Sequence, residues 1–197
     1  MNCANCKQQP KNKCNKEGFD CTGGKVDFLE CQKEENVQWQ NISEELRALH
    51  GDTLCRLEEI IEFSKKAGYK KLGLAFCVGL ADEAVVVAEI LKQVFQVESV
   101  CCKIAGANKD TFGMSKIKAD AFEVACNPVA QAKILNRAGT DLNIQLGLCI
   151  GHDLLFQKYA EAPITVLAVK DRVLANNPLG AVYSSYWRKK LYDKGRS

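Results

Sequence analysis

Between positions 71 and 169, short β-rich runs of apolar residues alternate with stretches whose apolar positions recur at helical spacing. That is the pattern of parallel strands joined by helical crossovers. Five runs read as strands: KLGLAFC (71–77), VESVCC (97–102), AFEVAC (121–126), LNIQLGLC (142–149) and ITVLAV (164–169). Leu80, Ala84, Val87, Leu91 and Val94 form a helical stripe between the first two, long enough for a crossover. Asn127-Pro128 and Asn177-Pro178 each set a good N-cap residue before a proline, so helices are expected to start there. Upstream, Asn41 followed by Glu44 resembles a capping box and starts a helix carrying Ile42, Leu46 and Leu49. Leu54, Leu57, Ile60 and Ile61 carry the stripe on to Ala67, and Gly68 supplies the stop. The link 103–120, with Gly106 and Gly113 among lysines and aspartates, reads as a mobile loop with one helical turn.

The fold expected is α/β: a doubly wound, Rossmann-like, mostly parallel five-stranded sheet with flanking helices over 37–197. Its strand order is open between the two common arrangements. Residues 1–36 differ from everything that follows, being polar, rich in lysine and nearly free of aliphatics. Such an arm cannot build a hydrophobic core of its own.

Composition narrows the function classes. The 197 residues are 47% hydrophobic, ordinary for a packed globule, and carry 27 basic against 24 acidic side chains. A net charge of +3 gives no broad positive field, so nucleic acid is not expected as a partner. The basic tail of Arg188, Lys189, Lys190, Lys194 and Arg196 around Asp193 reads as a solvated helix face. Tyr183, Tyr186, Trp187 and Tyr192 beside it read as packing residues. The start lacks a signal-type apolar segment and no stretch is long enough to span a membrane, so a cytoplasmic protein is expected. Eleven cysteines in a reducing compartment point to metal binding or thiol chemistry rather than disulfides, and the odd count cannot pair completely.

The first constellation lies in the arm. Cys3 and Cys6 are two residues apart, and Cys14 and Cys21 follow, a set of four thiolates able to close a tetrahedral structural site. Metal would also supply the folding energy that so polar a segment lacks. Cys31 is an alternative to one of the four. The spacing decides neither for zinc nor for an iron–sulfur cluster.

The second constellation follows from the strands. Cys77, Cys101, Cys102, Cys126 and Cys149 all fall at proposed strand ends, which in a parallel sheet share one edge, where ligands bind. Cys77, Cys102, Cys126 and Cys149, with His152, are therefore candidate cofactor ligands. Adjacent strand residues face opposite ways, so only one of Cys101 and Cys102 can serve, and Cys102 is nearer the edge. Taken singly, each cysteine is more often a small hydrophobe buried by packing, but four strand ends in succession are hard to explain that way. Asp153 and the Asp171-Arg172 pair are expected on the same edge, Asp153 as a helix cap.

The segments CANC, FCVGLADEA, SVCCK, ACNPVAQAKILN, LGLCIGHDLLF and VLAVKDRV resemble a family of uncharacterised prokaryotic proteins labelled as a domain of unknown function or predicted metal-binding protein. The resemblance covers most of the chain. It implies a metal-binding role, and it sets Cys3, Cys6, Cys77, Cys101, Cys102, Cys126, Cys149, His152 and Asp153 in the family's motifs.

Three functional readings follow. The first is a metal- or iron–sulfur-binding protein, with thiolate ligands in the arm and at the sheet edge and with a metal ion or cluster and a small-molecule or redox partner. The second is a thiol-dependent enzyme in which Cys77 or Cys149 is the nucleophile, His152 is the acid or base, and only the arm holds metal. The third, a nucleotide-binding module, is weakened by the absence of a G-x-G-x-x-G turn and of a Walker A lysine.

Overall fold

The computed structural model describes residues 2–194. Ahead of the α/β body, a 3-10 turn at Cys3–Asn5 and a short helix α1 (Lys13–Glu17) bury no residue, as expected of a segment without aliphatics. Helix α2 (Glu34–His50) begins well before Asn41, so the Asn41–Glu44 pair lies inside a continuous helix. Glu34 and Glu35 occupy its first turn instead, where the positive end of the helix dipole favours carboxylates. Ile42 and Leu46 are buried as expected, whereas Leu49 is exposed. Gly51, at φ +57, breaks the chain before α3 (Arg56–Lys66).

Four parallel strands form one sheet: β1 (Lys71–Phe76), β2 (Gln96–Cys101), β3 (Leu142–Leu146) and β4 (Ile164–Ala168), in the order β2-β1-β3-β4. The chain moves outward from β1 to the edge strand β2, then crosses back past β1 to β3 and β4. Helices cover both faces of the inner strands, so β1 is apolar from Leu72 to Phe76 and β3 is buried throughout, its Asn143 and Gln145 included. On one face, α4 (Ala81–Lys92) lays Ala84, Val87, Ala88 and Leu91 against Leu72, Leu74, Ile144 and Leu146, with Ile60 of α3 beside them. On the other, α5 (Pro128–Ala138) and α6 (His152–Tyr159) contribute Ala132, Leu135 and Phe156 against Ala75, Val100, Cys102 and Leu148. Gly73 allows this close approach, since a Cβ there would collide with Asn143 Oδ1. Asn127 caps α5 as expected, its side chain accepting from Ala130 N–H at 3.0 Å.

The segment 121–126 is not a fifth strand. It folds back on its own loop through an antiparallel bridge between Asn108 and Val124, with Lys109 N–H donating to Glu123 O and Ala125 N–H to Ala107 O, each at 2.8 Å. Glu123 fastens this loop, taking Lys109 Nζ at 2.6 Å and the N–H groups of Ile117 and Lys118 at 2.8 Å. The link expected to be mobile is thus a tied loop with a single 3-10 turn at Lys109–Phe112.

The C-terminal aromatics also differ from expectation. In α7 (Gly180–Tyr183) and α8 (Ser185–Lys194) no residue is buried, and Tyr183, Tyr186 and Tyr192 are exposed, with only Trp187 half-covered beneath Lys190. The basic residues of α8 form a solvated face, while Arg196 lies outside the described residues. Among the described residues no helix is long and apolar enough to cross a membrane.

Candidate thiol site at the carboxyl edge of the sheet

Three cysteines meet beyond the ends of β1 and β2. Cys77 follows β1 and begins the 3-10 turn Val78–Leu80 that leads into α4, while its own N–H donates to Leu146 O at 3.1 Å. Cys102 follows β2, only 1% exposed, and its N–H donates to Phe76 O at 2.8 Å. Cys126 is delivered by a different route. Asn127 N–H donates to Cys102 O at 2.8 Å, which ties the start of α5 to the end of β2 and brings Cys126 alongside.

The Cys126 and Cys102 sulfurs lie 3.8 Å apart, with the Cys126 thiol donating. Val78 N–H donates to Cys102 Sγ at 3.3 Å. Burial pushes the Cys102 thiol up to about 12, and the neighbouring Cys126 and Cys77 add to the rise against the Val78 amide. The free thiol therefore stays protonated at neutral pH. Cys101, the last residue of β2, takes Lys103 N–H at 3.5 Å instead. Gln131, fully buried on α5, stitches the ends of the two strands together by donating to Phe76 O at 3.1 Å and Val100 O at 2.7 Å. Its Oε1 has no hydrogen-bond partner among the described residues. Nothing in its spacing marks Gln131 as more than a polar residue of a helix, and its role becomes visible only in the fold.

Cys149 and His152 occupy the adjoining part of the edge. Cys149 accepts from Arg172 Nη2 at 3.0 Å and, through its carbonyl, from His152 and Asp153 N–H at 2.9 and 3.0 Å. Asp153 is not the cap expected of it: the N-cap of α6 is Gly151, and Asp153 sits inside the first turn, where its Oδ1 accepts from Leu154 N–H at 2.7 Å. His152 is held below its ordinary value by burial first and then by the positive charges of Lys103 and Arg172, against the pull of Asp153. The folded chain thus disfavours His152 protonation, whereas the unfolded chain takes the proton near 6.5. Its stabilising contribution is complete above that value and is lost as the pH falls through it. The urea midpoint should accordingly drop between pH 7 and pH 5, and drop less in His152→Gln. Equal slopes for the two proteins would show that His152 does not carry the effect.

In the arm, Cys3, Cys14, Cys21 and Cys31 are exposed and Cys6 is half-buried. Backbone N–H groups of Asn12 and then Gln8 hold the Cys6 thiol below the ordinary range, aided by Lys11. Among the described residues, no three Cys, His, Asp or Glu side chains are gathered closely enough to hold a metal as they stand. The structure brings Cys102 and Cys126 together with Cys77 beside them, and it leaves Cys149 on Arg172. Cys55, which no motif marked, is exposed at the start of α3, where its N–H donates to Glu58 at 2.8 Å.

Residues 24–167 match the family model described as protein of unknown function (DUF1847). The matched span holds Cys31 and all the cysteines of the sheet edge, and it begins after Cys3, Cys6, Cys14 and Cys21. The chain is also 50% identical over 186 residues to an uncharacterised protein of Methanocaldococcus jannaschii, covering 91% of this chain and 96% of that protein. No solved structure matches the chain. With the family model spanning most of the sequence, the chain belongs to the family of proteins of unknown function DUF1847.

Proposed function

We propose that the protein binds a thiolate-ligated metal ion or iron–sulfur cluster at the carboxyl edge of its sheet. Cys102 and Cys126 form one side of the site and Cys77 is the third ligand. The observation that carries the reading is the 3.8 Å separation of the Cys102 and Cys126 sulfurs. Two thiolates each about 2.3 Å from one tetrahedral metal lie about that far apart. Val78 N–H already points at Cys102 Sγ, the kind of contact that steadies a ligating sulfur. A thiol that keeps its proton up to about 12 needs a cation to ionise it, and a bound metal supplies that charge while releasing protons. A rotation of the half-exposed Cys77 side chain closes the set, with Cys149 or His152 as candidates for the fourth position.

Thiolate ligands suit zinc and an iron–sulfur cluster alike, and a doubly wound reading of the fold is supported by the reversal of strand order between β1 and β3 beside this edge. The arm of residues 1–36 is the place of a second site on Cys3, Cys6, Cys14 and Cys21. The amides of Gln8 and Asn12 turned toward Cys6 support it, since they favour a thiolate there. A cytoplasmic setting, which keeps these thiols reduced, belongs to the same reading.

The second reading, a thiol-dependent enzyme, is favoured by the Arg172 guanidinium donating to Cys149 Sγ, the contact an activated nucleophile uses. The two readings separate on protein purified without oxygen and analysed for zinc, iron and sulfide. Metal binding predicts bound zinc or a brown iron–sulfur chromophore, with Cys3→Ser/Cys6→Ser losing about one equivalent while the α/β body stays folded. Metal-free protein in which one cysteine is alkylated far faster than the rest would favour the enzyme instead.

A further inference from the structure

We propose that the carboxyl ends of β1 and β3 form a binding site for a small oxyanion, a phosphate or carboxylate group, anchored by Lys170 beside the Cys77 thiol. Six lysines among the described residues are half-buried, and five of them have an acceptor. Lys13 pairs with Glu17, Lys109 with Glu123 and Lys116 with Asp110, while Lys71 donates to Ala138 O and Lys103 to Val124 O. Lys170 is the exception. Its ammonium makes no ion pair or hydrogen bond with any described residue. Partly removing an ammonium from water without a counter-charge is costly, and a bound anion removes that cost.

Its position gives the missing partner a place. A Cβ built on Gly79 would lie 3.7 Å from Lys170 Nζ and 3.9 Å from Cys77 Sγ, and one built on Gly147 would lie 3.6 Å from Nζ. The ammonium and the thiol thus both border the position that a Gly79 side chain would fill. The β3–β4 register slips by one residue, with Gln145 opposite Val166 but Leu146 opposite Ala168. One extra residue in a strand exchanges the faces of those that follow, and such bulges re-aim side chains at functional sites. The surrounding charges favour an anion. Lys103, Lys170 and Arg172 lie along the edge against two carboxylates, which keep their charge but are turned to their own backbone: Asp153 accepts from Leu154 N–H, and Asp171 accepts from Val173 and Leu174 N–H at 3.0 and 2.8 Å. The place lies beside the point where strand order reverses, beyond the carboxyl ends of β1 and β3, where open parallel sheets bind ligands.

The inference stands apart from the metal reading, because Lys170 attracts an anion whether or not the thiols hold a metal. The test is calorimetric titration of the full chain with inorganic phosphate and, separately, with succinate, with metal content measured on the same samples. Saturable binding is expected for at least one of the two, and which one binds distinguishes a phosphoryl from a carboxylate ligand. Affinity should fall by about tenfold or more in Lys170→Met and survive in Lys170→Arg, as expected for a charge-assisted hydrogen bond. Gly79→Ala is a second probe. Gly79 has no positive φ and its added Cβ would meet only ordinary contacts, so the fold is kept while the anion's space is filled, and binding should again weaken. Lys92→Met, on the exposed face of α4, should bind as the parent does. Binding of neither anion, or equal affinity in the parent, Lys170→Met and Gly79→Ala, would overturn the proposal.

Discussion

Cys102→Ser is expected to abolish the proposed metal site at the sheet edge, lowering bound metal by about one equivalent. A serine oxygen is a poor substitute for thiolate toward zinc or an iron–sulfur cluster. The sulfur it replaces is also the acceptor for Val78 N–H and the partner of Cys126, so no neighbouring cysteine can take its place without moving the end of β2. Cys101→Ser is the informative comparison, because Cys101 differs by one position yet its sulfur takes only the amide of Lys103. Elemental analysis of the two variants should show metal lost in the first and kept in the second. The reverse pattern would mean that the ligand has been assigned to the wrong member of the pair.

Phe156→Ala is expected to cost about 3–5 kcal/mol of stability, the largest purely structural effect of any single change considered. Phe156 is fully buried and packs α6 onto the same apolar cluster that holds Cys102, Leu135 and Leu148. Removing the ring leaves a cavity between two elements that cannot collapse onto each other without shifting the sheet edge. Urea unfolding reads the loss directly. Leu154→Ala, two residues away and 60% exposed, should change stability by no more than about 0.5 kcal/mol. Comparable losses in the two variants would contradict the packing described for α6. At low temperature Phe156→Ala should still bind metal, which separates a packing defect from the loss of a ligand.

The parallel strands were legible because β1 reads as an apolar run after Lys71 and β3 keeps Leu142, Ile144 and Leu146 in alternation, each bounded by helical stretches. Alternation alone could not distinguish the segment 121–126 from them. Whether such a run joins a sheet depends on its partner, and here the partner is its own loop, held by Glu123. Cys126 still reaches the edge, but through the long-range Asn127 to Cys102 contact rather than as a strand end. Convergence of Cys77, Cys102 and Cys126 was therefore readable in outline, whereas the side-chain partner of Cys149, Arg172, emerges only when β4 is laid beside β3. Lys170 was hidden for the same reason. It comes just after β4, whose register slip against β3 no local spacing records. The polar residues Gln131, Asn143 and Gln145, all fully buried, were likewise invisible to a search for apolar periodicity.

X-ray absorption at the zinc or iron edge, on full-length protein purified without oxygen, tests the central claim most directly. The account predicts sulfur neighbours about 2.3 Å from the metal, and fewer of them per protein in Cys102→Ser/Cys126→Ser. A coordination sphere made only of nitrogen and oxygen, or a sulfur count unchanged by that double substitution, would contradict a metal site at the sheet edge.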